Sequence, residues 1–182
     1  MQDAVIDTCC LTNVCTAADL RQIVPFTGLA WYLPPAVVKE AVYIRVRGDD
    51  GVLKSQEILL GPYLREGVLT ECALGEGEET ALFVELAADL ADGEAMSLAI
   101  AACRGWILAS DDRKARRRAA ALGTRLISTP EIMRNWAVTK QVASGEIHDA
   151  LTRIQTLAKF IPSRDFPAYD WWCDALKPGS EA

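Results

Sequence analysis

Short apolar runs alternate along the chain with longer stretches of helical spacing. Residues 3–7, DAVID, form a short run ending in an acid and predict a strand. CCLTNVCTAADL follows, with Leu11, Val14 or Cys15, and Ala18 near helical spacing. In WYLPPAVVKEAVYIRVR, Pro35 suits the first turn of a helix that would carry Val37, Val38, Ala41 and Val42 inward. Residues 48–77 are glycine-rich, with a GDDG turn and a Gly-Pro pair, and predict the least regular region, with one strand at 67–72. EETALFVELAADLADGEAMSLAIAACRG holds two helical patterns separated at Asp92-Gly93.

GWILAS has the look of a buried parallel strand, a continuous apolar run bounded by glycine and by charge. DDRKARRRAAALG predicts a helix with Ala115, Ala119 and Leu122 toward the core and Gly123 as its stop. TRLIS predicts a further short strand, and residues 129–159 read as helical with a break at Ser144-Gly145. The tail from 161 carries three prolines and Trp171-Trp172, read as an apolar clamp onto the body. Short apolar strands between helical patterns predict an α/β fold whose parallel sheet is covered on both faces.

At 182 residues, 51% of them apolar, the chain predicts one domain with a sizeable core. Its net charge of −6 opposes bulk attraction to nucleic acid, so such contact requires a local basic patch. Arg113-Lys114-Ala115-Arg116-Arg117-Arg118 is the strong basic cluster, either a solvated helix face or a phosphate-contacting one. A single histidine, His148, excludes a His-rich zinc site and any two-imidazole mechanism within one chain. The six cysteines include no C-x-x-C pair and are expected as small buried side chains. The start, MQDAVIDTCC, lacks a basic segment and a long apolar run, which predicts a reducing, cytoplasmic location. The most apolar stretch, 80–103, is broken by Glu85, Asp89, Asp92 and Glu94, so no membrane span is expected.

In a parallel sheet, ligands gather at the carboxyl ends of the strands. Asp7 ends the first predicted strand and Asp111-Asp112 follow GWILAS, so two neighbouring strands would deliver carboxylates to one edge. Glu40, among apolar neighbours, and Glu94, at the start of an apolar helix, can join them, with Asp92 the natural cap beside Glu94. Such a group repels itself unless a cation neutralises it. Oxygen donors alone suit Mg²⁺ or Mn²⁺, which assist phosphodiester hydrolysis.

The ordered set VIDTCCLTN, PAVVKEA, DGEAMSLAIA and LASDDRKAR resembles the PIN-domain nucleases, which include VapC-type toxins of prokaryotic toxin–antitoxin pairs. The resemblance covers about residues 3–128, and the helices beyond look like the extended bacterial branch. It implies a three-layer α/β/α fold, with 1–128 as catalytic body and 129–182 as a helical extension and tail packed on it. It matches Asp7, Glu40 and Glu94 to catalytic acids, with the fourth in the pair Asp111-Asp112, one as ligand and one as cap. Asp7, Glu94, Asp111 and Asp112 are the metal-ligand candidates, and Asp7, Glu40, Glu94 and Asp112 the catalytic ones. Thr8 and Asn13 match supporting polar residues. Cys9 and Cys10 depart from the Ser or apolar residues usual there.

The implied activity is Mg²⁺- or Mn²⁺-dependent cleavage of RNA by activated water, with Arg113, Arg116 and Arg117 projecting outward to the backbone. An antitoxin protein and a homodimeric partner are left open. A non-catalytic interaction protein of the same fold competes with this reading. A metal-dependent phosphatase does so less well, because position 9 is Cys where the D-x-D nucleophile motif needs Asp.

Overall fold

A computed structural model describes residues 1–40, 42–48 and 51–177. β1 (Gln2–Ile6) runs into α1 (Thr8–Ala17), followed by the short α2 (Leu20–Ile23) and β2 (Leu29–Leu33). Then come α3 (Pro35–Lys39), β3 (Val42–Arg47), β4 (Leu53–Ile58), α4 (Gly61–Arg65) and β5 (Thr70–Glu71). The second half holds α5 (Glu78–Leu86), α6 (Asp92–Arg104), β6 (Ile107–Ala109), α7 (Arg113–Ala121) and β7 (Leu126–Ile127). It ends with α8 (Thr129–Lys140), α9 (Ser144–Arg153), a π-helical turn over Ile154–Ala158 and α10 (Tyr169–Ala175).

Five strands form one sheet in the order β5-β2-β1-β6-β7, all neighbours parallel. β1 is central, and its residues alternate between two cores, as the two-residue strand period requires. Ala4 and Ile6 pack with Leu11, Val14, Trp136, Leu151 and Trp172, while Val5 packs with Leu98, Leu108, Ala115 and Ala119 on the other face. Helices therefore cover both faces, giving the expected three layers. The helices after residue 128 share the first core, with Trp136, Ile154 and Trp172 all buried there. Trp172 is 1% exposed, so the tail does clamp onto the body.

Several local expectations need correction. The helix at Pro35 ends at Lys39, and Val42–Arg47 is instead the first strand of an antiparallel hairpin with β4. Val42-Tyr43-Ile44-Arg45-Val46-Arg47 puts Val, Ile and Val at every second position, a strand period that outweighs the helical spacing of Val37, Val38 and Val42. Ala41, placed on that helix, lies outside the described residues, as does Pro178 in the tail. The region 48–77 also contains α4, and its strand at 67–72 narrows to β5. Asp92 is the first residue of α6 and Ala91 stands at the cap. Ser144-Gly145 open α9 rather than break it. Leu122 follows α7 and is 46% exposed rather than turned to the core. Cys10, Cys15 and Cys72 are buried as expected, whereas Cys9 and Cys103 are exposed.

Candidate active site

The sheet order reverses direction at β1, with β2 on one side and β6 on the other, which opens a crevice at the carboxyl ends of these strands. Asp7 leaves β1 there, its backbone N–H donating to the Ala109 carbonyl at 3.0 Å. Its carboxylate caps α1 by accepting from the Cys10 N–H at 2.7 Å. The residue is fully buried and its Oδ2 has no hydrogen-bond partner. Burial, with the charges of Asp111 and Glu94 adding, pushes the Asp7 carboxyl up to about 7. The Ser110 hydroxyl and the Cys10 N–H offset only part of this.

Asp111 and Asp112 leave β6 and divide their roles. Asp112 caps α7 through Oδ1, which accepts from the N–H groups of Lys114 and Ala115, both at 2.8 Å. Asp111 is buried, and its Oδ1 accepts from the Thr129 N–H at 2.9 Å. Its Oδ2 accepts from Asn13 Nδ2 at 2.9 Å and from the Thr129 hydroxyl. Burial nevertheless holds the Asp111 carboxyl above its ordinary value, against the pull of these three donors.

Glu94, in the first turn of α6, reaches back to the Ala91 N–H at 3.4 Å. Partial burial raises its carboxyl, with Asp112 and Glu40 adding like charge. Glu40 accepts from the Thr8 hydroxyl. Gly93 makes room for it: a Cβ there would stand 2.8 Å from Glu40 Oε1. Gly93→Ala is therefore expected to leave the fold intact, since the displaced group is the end of a flexible side chain and Ala favours helix. It should move Glu40 off Thr8 and lower phosphodiester cleavage, measurable in a cleavage assay beside an unchanged melting curve.

Of the predicted acids, Glu40 and Glu94 share one cleft, whereas Asp7 is fully buried and neither Asp111 nor Asp112 is among that cleft's lining residues. Thr8, Cys9, Asn13, Glu40 and Glu94 line a cleft of about 300 Å³, with Ala158 of the π-helical turn as another wall. Among the described residues, no three His, Cys, Asp or Glu side chains already stand as a closed metal-ligand cluster. The donor set still fits a hard divalent cation, which needs only one or two carboxylates and fills its remaining positions with water and substrate. The buried, unpartnered Asp7 Oδ2 supplies the local reason for one.

Of the basic residues, Arg113 and Arg117 are exposed, as expected. Arg116 is held rather than projecting. It donates to the Ser110 carbonyl at 3.0 Å, and its guanidinium lies over the Phe166 ring, 4.4 Å from the centroid. Arg118 pairs with Glu85 at 2.9 Å. Sequence reasoning missed Thr129, Gly93 and Ser110. The S-T-P step opening α8 was the one available signal, a helix-start pattern following a strand at the crevice.

Although Cys9 keeps an exposed face, crowding around its sulfur and the surrounding carboxylates push its thiol up to about 12, which disfavours a thiolate nucleophile. His148 lies on α9, with Nδ1 3.5 Å from Asp149. No helix among the described residues is long and apolar enough to cross a membrane.

A family model described as a PIN domain matches residues 3–165. No curated protein matches the chain.

Proposed function

Because the chain belongs to the PIN-domain family, whose members are generally nucleases, we propose that it is a Mg²⁺- or Mn²⁺-dependent endoribonuclease acting as the toxin of a toxin–antitoxin pair. The observation that carries the reading is the buried, unpartnered Asp7 Oδ2 among like-charged neighbours, a group whose charge a divalent cation would neutralise.

In this reading Asp7, Glu94 and Asp112 hold the metal, and Asp111, tied by Asn13 and Thr129, braces the cluster from behind. When bound, the ion activates water and stabilises charge on the phosphoryl oxygens. Glu40, fixed by Thr8, accepts the proton of the attacking water. Arg113 and Arg117 meet the RNA backbone as it leaves the cleft. No side chain forms a covalent intermediate, in keeping with the protonated Cys9 thiol and the place of His148 on α9. Residues 1–128 are the catalytic body and 129–182 its extension. An acidic antitoxin segment covering the arginines, and action in the cytoplasm, belong to the same reading.

Titrating Mn²⁺ against melting temperature tests it together with RNA cleavage. The wild type is expected to gain stability by mass action, and Glu94→Gln to gain less and to lose cleavage. Equal gains in both proteins remove Glu94 from the site, and cleavage by the wild type without any divalent ion overturns the mechanism.

A further inference from the structure

The function proposed above leaves unused the strap of residues 159–168, which joins the π-helical turn to α10. Between this strap and α7 lies a cleft of about 530 Å³. Arg113, Arg116 and Arg117 form one side, and Phe160, Ile161 and Asp165 the other. Asp111 lines it as well, while Ala158, just ahead of the strap, lines the acidic cleft. Asn13 of the acidic cleft donates to Asp111 of this one at 2.9 Å, so the two clefts share that contact as a common wall.

The arginine side is graded. Arg116 is fixed between the Ser110 carbonyl and the Phe166 ring, while Arg113 and Arg117 flank it with exposed guanidinium groups. Facing them, Ile161 is 72% exposed, a large aliphatic side chain left in water for which the fold has no use. Exposed cations beside an apolar wall match the two halves of a nucleotide, a phosphate and a base edge or face. The volume lies within the roughly 300–1,000 Å³ of clefts that enclose small ligands. Asp165 places a carboxylate in the same arginine field. The Ser163 hydroxyl first, with Arg113 and Arg116 adding, holds that carboxyl below its ordinary value.

We propose that this cleft is a nucleotide subsite adjoining the acidic cleft. Arg113 and Arg117 each take a backbone phosphate, Ile161 and Phe160 receive the neighbouring base, and Asp165 competes internally for Arg113. The assignment rests on the nuclease reading for its substrate, but it makes a claim about binding that needs no metal and no cleavage.

The test is the affinity of a fluorescent single-stranded pentaribonucleotide for the full chain in EDTA, measured by anisotropy across a salt series. Arg113→Ala with Arg117→Ala is expected to weaken binding about tenfold at low salt and to lower the salt slope by about 1.4, two phosphate contacts' worth. Both side chains are exposed, so the variant should melt with the wild type. Asp165→Asn should tighten binding several-fold, an opposite effect that no loss of folding can produce. Ile161→Ser should weaken the pentaribonucleotide more than an abasic analogue of equal charge.

Unchanged affinity and slope in the double arginine variant, or no binding by the wild type, overturns the subsite. Equal affinity of the wild type for the abasic analogue overturns the base half. Stronger binding of an equally charged acidic peptide assigns the cleft to a protein partner instead. Metal-loaded cleavage assays on the wild type report separately. A chain that cleaves no RNA but passes the EDTA test refutes the nuclease reading and leaves the subsite standing.

Discussion

Asp7→Asn is expected to abolish RNA cleavage and, in EDTA at pH 8, to melt higher than the wild type. The Asp7 carboxyl titrates near 7 in the folded protein, against 3.8 ordinarily, so the native state holds that proton more tightly than the unfolded chain. Its contribution to stability is thus fully present below about pH 4 and is lost as pH rises through 7. A rise of this size corresponds to about 4 kcal/mol between those limits. The substituted amide carries no charge, keeps an oxygen for the Cys10 N–H and escapes the repulsion of Asp111 and Glu94. The wild-type melting temperature should fall from pH 5 to pH 8 in EDTA, while that of the variant stays flatter. Saturating Mn²⁺ should reverse the order at pH 8, because only the wild type has the ligand. A wild-type curve that rises over this range would show that Asp7 is not the strained group, and full activity in the variant would remove it from the chemistry.

Trp172→Ala should produce a large loss of stability away from the acidic cleft. The indole is among the largest fully buried side chains and stands edge-on to Phe160, with centroids 6.0 Å apart. Truncating a buried aromatic costs about 3–5 kcal/mol, which for a domain of this size lowers the melting temperature by about 10 °C. Trp172→Phe should recover most of it, since Trp172 Nε1 has no hydrogen-bond partner to lose. Because Phe160 begins the strap, the Ala variant should also loosen the arginine cleft and weaken oligonucleotide binding in EDTA. A melting temperature within about 2 °C of wild type, less than a single kcal/mol would shift it, would show that α10 is not part of the core.

The central strands were legible because they are buried on both faces and so carry unbroken apolar runs, AVI in one and WILA in the other. The acids were legible because each stands at a strand end or helix end, where a charge has a local role. What the one-dimensional pattern hides is whichever of two periods wins. Val37, Val38 and Val42 suit a helix, yet Val42, Ile44 and Val46 also suit a strand, and only pairing with Leu53–Ile58 decides between them. The division between Asp111 and Asp112 is hidden for a similar reason. It depends on Asn13 and Thr129, which lie far away along the chain and reach Asp111 only once the layers close. Arg116 looked like its neighbours in sequence and differs from them through Phe166, a distant residue that the strap brings back over α7.

The order of the sheet also bears on how such a protein is made. β1, which carries Asp7 at its end, is synthesised before its sheet partners but lies in the middle, between β2 and a β6 that begins only at Ile107. The acidic cleft takes walls from residues as far apart as Thr8 and Ala158, and the arginine cleft adds the strap up to Phe166. A growing chain on the ribosome consequently has no finished cleft until residues up to Ala158 and Phe166 have emerged, although domains begin to fold from the N-terminus. Competence arrives late and all at once. For the nuclease proposed above, the topology itself delays the onset of activity until the strap up to Phe166 has been made.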